Sequence, residues 1–165
     1  MSRRSFLRDP RYSVLLAVHQ WGILDYDIVG GALSPPRKPC RRCRGPGAAN
    51  GNDMFAWLAT SLMDHLNPWP GPNSVLIMDG ASIHRNGAFQ ALLTAMGVVV
   101  VTLPPYSPWL NIAELAINCV KGDIRTARGA VGNDVLPVLI ASLQRRRFLH
   151  MRPKLMDIGY GQYCR

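Results

Sequence analysis

Two acidic residues have surroundings that suit metal-dependent chemistry. Asp79 follows a run of apolar residues, and Glu114, the only glutamate among the ten acidic residues, lies beyond it with 34 residues between them. Carboxylate oxygens are preferred ligands of Mg²⁺ and Mn²⁺. A pair of such ions can activate a water or a 3′-hydroxyl and stabilise the leaving oxygen in phosphodiester cleavage. Each acid also has a structural explanation, Asp79 as a turn cap and Glu114 as a favourable charge in the first turn of a helix.

The elements predicted around the two acids bring them to one edge of a sheet. They are a strand over residues 74–78, a helix over 86–96, a strand over 98–103, a proline-rich loop over 103–108 and then the helix that carries Glu114. Continuous apolar strands of this kind are typical of central strands whose two faces are both covered. Open α/β sheets place their ligands at the carboxyl ends of the strands, which is where Asp79 lies.

Periodicity predicts the remaining elements. Residues 12–18 and 23–29 form an antiparallel hairpin, because two strand-length apolar runs flank a short turn. A helix follows Asp53, which is the predicted N-cap, and continues to about residue 66. A last amphipathic helix over 134–148 ends in Arg145, Arg146 and Arg147, within a helical C-terminal tail at 127–165. We predict one α/β domain over residues 1–165.

The charge distribution favours a polyanionic partner. The chain has 165 residues, 19 Lys and Arg against 10 Asp and Glu, and a net charge of +9. Residues 51–110 contain one Arg against three Asp, whereas the flanking parts hold all the other basic residues. Basic flanks around an acidic centre suit an enzyme that holds cations with carboxylates and phosphates with bases. A solvated basic surface explains the charge equally well.

Residues 34–52 differ in character from the rest of the chain. Five basic residues there alternate with prolines and glycines and show no apolar periodicity, which predicts a basic inserted loop. This loop is either a DNA-contacting arm or, slightly favoured, a solvated insertion. Cys40 and Cys43 form a lone C-x-x-C without a second pair, so zinc is weakly supported and reduced thiols are the better interpretation.

The sequence predicts an intracellular protein without a membrane span. No apolar run reaches the length of about 18 residues that a bilayer requires. Residues 2–8 are similar to a twin-arginine export signal, but a short apolar stretch and the lack of a cleavage site argue against export. In a eukaryote the nucleus is the expected compartment.

Two segments resemble motifs of a known enzyme family. Residues 75–84, VLIMDGASIH, resemble the second-aspartate motif of the DDE-superfamily transposases of the mariner-like kind. Residues 103–114, LPPYSPWLNIAE, resemble the loop and helix that deliver the third acid of that family. The hairpin at 12–29 and the lead-in at 67–74 are also similar, so the resemblance covers about residues 8–126. It implies a ribonuclease H-like mixed sheet flanked by helices.

The resemblance also implies residue roles. Asp79 and Glu114 would be the second and third acidic ligands of Mg²⁺ or Mn²⁺ in a DNA endonuclease and strand-transfer enzyme. His84 would contact the scissile phosphate or support an acid, or as a lone loop histidine do neither. Lys121, on the same face of the helix as Glu114, and Arg125 would contact DNA phosphates, although a solvated lysine explains Lys121 almost as well. The partner is then DNA, without a membrane, and a homo-oligomer stays open.

The chain departs from the family pattern in several places. The first catalytic aspartate of the family lies on a first strand upstream of residues 11–18, and we expect that strand to be missing here. Asp9, Asp25 and Asp27 are not convincing substitutes. Three further departures lie in the motifs. Gly80 replaces the usual asparagine, Trp109 replaces a polar or acidic residue, and Ile112-Ala113 replaces the usual Pro-Ile.

These observations lead to a principal hypothesis and two alternatives. The principal one is an N-terminally truncated, transposase-derived domain that is inactive by itself because one acid is absent. The alternatives are a non-catalytic basic module that binds nucleic acid and a non-functional pseudogene product. Since the missing strand would lie centrally, the resemblance leaves three structural outcomes: the N-terminal residues supply a strand, the hairpin packs beside residues 74–78, or the domain is unstable.

Overall fold

The computed structural model describes residues 12–30, 48–131 and 134–148. Four strands and four α-helices follow in the order β1 (Tyr12–His19), β2 (Gly22–Gly30), α1 (Gly51–Thr60), β3 (Val75–Met78), α2 (Gly87–Ala95), β4 (Val99–Thr102), α3 (Ile112–Val131) and α4 (Leu136–Arg145). Short 3₁₀ turns lie at Leu62–His65, Ser82–Arg85, Pro108–Leu110 and Arg146–Phe148. The predictions for residues 1–11, for most of the basic loop and for the tail at 149–165 lie outside the described residues.

The predicted hairpin is confirmed. β1 pairs with β2 antiparallel, from Tyr12 opposite Gly30 to His19 opposite Gly22. Gly22 has a φ of +132°, and a Cβ there would lie 2.6 Å from the carbonyl oxygens of both Arg146 and Arg147. Only glycine satisfies this backbone angle and this approach together. The end of the hairpin is therefore packed directly against the last described turn of the chain.

The first helix begins earlier than predicted. The N-cap is Asn50 and not Asp53: the Asn50 side chain accepts from the backbone N–H groups of Asn52 and Asp53. Asp53 occupies the third helical position, where its carboxylate accepts from the Asn50 N–H at 2.9 Å. The two residues thus form a reciprocal capping box. The helix also ends sooner, at Thr60, and its apolar pattern continues through a 3₁₀ turn in which Leu62 is buried.

Strands β3 and β4 form a parallel pair that the described helices cover on one face only. Val75 pairs with Val99 and Ile77 with Val101, and these four side chains are 40–43% exposed. The prediction that both faces of these strands are buried is therefore wrong. Among the described residues, α1 and α2 cover the face that carries Met78, while α3 and α4 pack on the hairpin.

Two apolar clusters lie on the two faces of the hairpin. The larger contains Leu15 and Ala17 of β1 together with buried residues of α1, α2 and β3, among them Leu58, Phe89 and Met78. The smaller contains Ile23 with buried residues of α3 and α4. This alternation follows from the period of two in a strand. The described chain is therefore a layered α/β structure with helices on both sides of the hairpin.

A groove separates β1 from β3. The described strands form two two-stranded sheets, β1 with β2 and β3 with β4, and the two sheets are not hydrogen-bonded to each other. An apolar groove of about 360 Å³ lies between them, with Leu16 and Val18 on one wall and Val75 and Ile77 on the other. At one end the side-chain oxygen of Gln20 is buried without a hydrogen-bond partner in the described part of the chain. The hairpin therefore does not pack directly beside β3, and no described strand fills the central place that the resemblance predicts.

Helices α3 and α4 are joined by a charged cluster. Asp123 of α3 accepts from the Ser142 hydroxyl at 2.5 Å and from the Arg146 guanidinium at 2.8 Å through the same carboxylate oxygen. These contacts lower the pKa of Asp123. The Ser142 hydrogen bond is the largest cause, and the charges of Arg146 and Arg145 lower the pKa further, whereas partial burial raises it. The ionised carboxylate of Asp123 therefore links α3 to α4 and to the turn that follows it.

We expect the Asp123 cluster to make folding stability depend on acid. Because the pKa is lower in the folded chain, the stabilisation is fully present above the unfolded value of about 3.9 and is lost as pH falls through the lower folded value. Asp123→Asn should therefore cost about 1–3 kcal/mol of unfolding free energy at pH 7 and flatten the loss of stability below about pH 4. Urea unfolding at several pH values measures both effects. The matched control is Asp64→Asn, at an exposed aspartate in the 3₁₀ turn Leu62–His65. Equal behaviour of the two variants would contradict the stabilising role of the Asp123 contacts.

No described helix is long and apolar enough to span a membrane.

Candidate active site

Asp79 lies where β3 ends, and its carboxylate is held by two local contacts. The Ala81 N–H donates to Asp79 Oδ1 at 3.0 Å. His84 Nδ1 lies 3.0 Å from the same oxygen and 3.1 Å from the Asp79 carbonyl oxygen. The Asp79 side chain is about half exposed while that of His84 is mostly buried. His84 therefore contacts the acid, and the other carboxylate oxygen takes part in neither contact.

The turn that carries His84 is in turn held by α2. The Gln90 side-chain amide donates to the His84 carbonyl oxygen at 2.7 Å, and Asn86 caps α2 by accepting from the N–H groups of Ala88 and Phe89. Phe89, next to Gln90, is fully buried in the main cluster. A chain of contacts thus runs from the core through α2 to the acid at the end of β3.

Glu114 reaches the same place from α3. The Asn111 side chain accepts from the Ala113 N–H at 3.1 Å at the start of this helix. Asp79, His84, Asn111 and Glu114 together line a pocket of about 200 Å³, whose apolar wall includes Leu16 of β1. The structure therefore places both acids on one pocket beside the carboxyl end of β3.

The loop between β3 and the 3₁₀ turn Ser82–Arg85 is open at Gly80, where the resemblance predicts an asparagine. A Cβ built on Gly80 meets no atom within 4 Å. Crowding therefore does not require glycine at this position. Nothing in the structure explains why glycine stands here.

The described acids offer no third carboxylate to this pocket. In the described part of the chain, no group of three or more His, Cys, Asp or Glu side chains is placed to hold a metal ion. Asp25 is buried in β2, where it accepts from Trp57 Nε1 at 2.7 Å and lies 3.8 Å from the Arg147 guanidinium. Asp53 is used in its capping box. Both aspartates therefore have other partners, and neither lines the pocket.

The donor set at the pocket suits a divalent cation only in part. Two carboxylates are hard oxygen ligands of the type that Mg²⁺ takes, usually together with water and substrate phosphates. Asp79 and Glu114 are the described residues that would hold such an ion, and the ion would supply Lewis-acid activation of a phosphodiester. A pair of ions needs further protein ligands, which the described residues do not provide.

Helix α3 carries basic residues on the face that bears Glu114. Lys121 and Arg125 follow Glu114 by 7 and 11 positions, so all three lie along one side of an α-helix, over a length of about 16 Å. Both basic side chains are exposed. Asp123, on the opposite side of α3, faces α4. The predicted phosphate-contacting residues therefore form a line that leads away from the pocket.

Sequence reasoning missed Asn111 and Gln90 as residues that support the site. Asn111 had a recognisable signal, because an asparagine directly before a helix is a common cap. Gln90 had none, since its contact with the His84 carbonyl depends on how α2 is placed.

The fold and the pocket define a class of protein. The described chain is an α/β domain with acids converging at the carboxyl edge of a parallel strand pair, consistent with a ribonuclease H-like nuclease domain. The family model described as DDE superfamily endonuclease matches residues 30–132, more than half of the chain. The chain therefore belongs to the DDE superfamily endonuclease family. No curated protein is significantly similar to it.

Proposed function

We propose that this chain is a transposase-derived domain of the mariner-like kind that binds DNA at the carboxyl edge of β3 and β4 but does not cleave it by itself. The observation that carries the proposal is the composition of the pocket: Asp79 and Glu114 line it, and no third acid in the described part of the chain joins them. The family supplies the reaction class, which is metal-dependent phosphodiester cleavage.

The binding half of the proposal is supported by the arrangement of charge. Lys121 and Arg125 are exposed on the α3 face that begins at Glu114. Phosphates held along this line would lead a DNA strand toward the pocket, because basic side chains contact the backbone and fix its register. The net charge of +9 adds a long-range attraction. DNA binding therefore does not require the acids.

The inactive half follows from ligand number. Phosphodiester cleavage by two ions requires both the attacking and the leaving oxygen to be stabilised. Asp79, oriented by His84 and the Ala81 N–H, and Glu114 would be the protein ligands of a bound cation. We expect these two carboxylates to hold a cation weakly. Either the attacking or the leaving oxygen would then lack a counter-charge.

The test is plasmid nicking. Pure protein incubated with supercoiled DNA and Mg²⁺ or Mn²⁺ should show no nicking above that of Asp79→Asn and Glu114→Gln. In the absence of divalent cations, both variants should bind DNA at least as tightly as the unaltered chain does, because each substitution removes a carboxylate that repels phosphate. Nicking that either substitution abolishes would overturn the proposed inactivity. Absence of salt-dependent DNA binding by all three proteins would overturn the proposed binding.

A further inference from the structure

Two large aromatic side chains are exposed beside the candidate site. Tyr106 is 94% exposed and Trp109 is 62% exposed. Both lie on the segment that joins the end of β4 to the start of α3, five and two residues before Asn111 of the pocket. Exposed aromatic rings so close together in the chain form a candidate interaction surface, since a tyrosine or tryptophan can bury about 150–250 Å² on binding a partner.

The segment that carries them is built rigidly. The Leu103 N–H donates to the Met78 carbonyl oxygen at 2.7 Å, which ties its beginning to the end of β3. The Leu110 and Asn111 N–H groups close the 3₁₀ turn around Trp109 by donating to the Ser107 and Pro108 carbonyl oxygens. Prolines 104, 105 and 108 restrict the backbone further. The rings are therefore presented by a backbone that loses little entropy on binding.

Tyr106 has a strained backbone as well. Its φ is +59°, a region that bulky residues with a Cβ rarely adopt and that costs about 1 kcal/mol or more. Its side chain is almost entirely exposed, so burial of the ring in this fold does not offset the strain. Strain of this kind persists at positions where the conformation serves binding.

The neighbouring charges indicate which partner these rings fit. Trp109 lies three residues before the start of α3, whose exposed Lys121 and Arg125 lie on the face of Glu114. Exposed π faces on the segment that leads into a helix with exposed cations match a chain of nucleobases on a phosphate backbone. Bases inside a duplex are already stacked on each other and cannot offer a face, so the matching ligand is unpaired.

We propose that Tyr106 and Trp109 form a stacking platform for unpaired bases at the end of a DNA molecule held at the Asp79 and Glu114 pocket. This inference rests on the proposed DNA binding. It adds a preference for single-stranded extensions that the phosphate contacts alone do not produce.

The experiment compares three fluorescent DNA molecules by anisotropy at one salt concentration. The first is a blunt duplex, the second is the same duplex with a five-nucleotide thymidine overhang, and the third has an abasic overhang of equal length. The abasic overhang keeps the phosphates and removes the bases. The unaltered protein should bind the thymidine overhang at least about fivefold more tightly than the abasic one.

Substitutions assign the effect to the rings. Trp109→Ala and Tyr106→Ala should lose the preference for the thymidine overhang, and Trp109→Phe should keep a substantial part of it. The matched control is Trp69→Ala, because Trp69 is also 62% exposed but lies at the amino ends of the strands, where its N–H donates to the Gly97 carbonyl oxygen. Circular dichroism of each variant shows that the fold is intact.

The possible results separate this inference from the proposed function. Equal binding of the thymidine and abasic overhangs, with normal salt-dependent binding of the blunt duplex, would overturn the platform and leave the DNA-binding function standing. Loss of the preference in Trp69→Ala to the same extent would also overturn it. So would a change in sedimentation of Trp109→Ala without an effect on overhang binding, since the rings would then contact protein. Failure to bind any of the three molecules would overturn the proposed function itself.

Discussion

Phe89→Ala is expected to lower the free energy of unfolding by about 3–5 kcal/mol, a large share of the roughly 5–15 kcal/mol that stabilises a typical domain. Phe89 is fully buried and belongs to the cluster that joins β1, α1, α2 and β3. Truncation removes its burial and leaves a cavity in this cluster, which also contains Leu58, Leu93 and Met78. Urea denaturation followed by circular dichroism measures the loss.

The site should respond to the same substitution. Gln90, the next residue, holds the His84 carbonyl oxygen, and His84 holds Asp79. Trp69→Ala is the matched control, because it removes an aromatic side chain of larger size from an exposed position. It should change the unfolding free energy by about 0.5 kcal/mol or less. A Phe89→Ala variant as stable as Trp69→Ala would show that the described core is wrong.

Helix α2 illustrates what the sequence predicts well. Its apolar spacing places Phe89 and Leu93 inward, and both are fully buried. Asn86 caps the start of the helix, and Gly97, with a φ of +71°, follows its end. All of these signals are local, and they agree with one another. Such agreement fixes the limits of an element before any tertiary contact is known.

Strand β3 illustrates what the sequence does not predict. Its continuous apolar run indicates burial on both faces, yet Val75 and Ile77 are about two-fifths exposed. An apolar strand sequence indicates which side chains can be buried, whereas their actual burial depends on where the helices pack. Here α3 and α4 pack on the hairpin, so one face of β3 lies open among the described residues.

The candidate site divides in the same way. Asp79 and Glu114 could be predicted because the order of strands, loop and helix brings them to one edge of the sheet. The role of Asp25 could not, since its partner Trp57 lies 32 residues away and belongs to another element. Ligand residues follow from motif and topology, whereas the residues that hold or exclude them depend on long-range packing.

Removing the exposed charges of α3 should weaken DNA binding in a salt-dependent manner. Lys121→Gln and Arg125→Gln keep side chains that favour a helix and each remove one phosphate contact. The slope of log affinity against log salt should become shallower by about 0.9 per contact, or about 1.8 for the double variant. Between 50 and 200 mM salt, the double variant should therefore lose roughly tenfold less affinity than the unaltered chain. Anisotropy titrations of a duplex over this range measure the slope.

Arg145→Gln distinguishes a line of phosphate contacts from a general effect of net charge. Arg145 is 70% exposed, but it lies 4.0 Å from Asp123, on the side of α3 opposite to Glu114. Each single substitution lowers the net charge by the same amount, so long-range attraction changes equally in all of them. If DNA follows the face of Glu114, Arg145→Gln should leave the salt slope unchanged while Lys121→Gln lowers it. Equal slopes for the two variants would mean that the DNA does not run along α3, and that the pocket and the basic residues act on different surfaces.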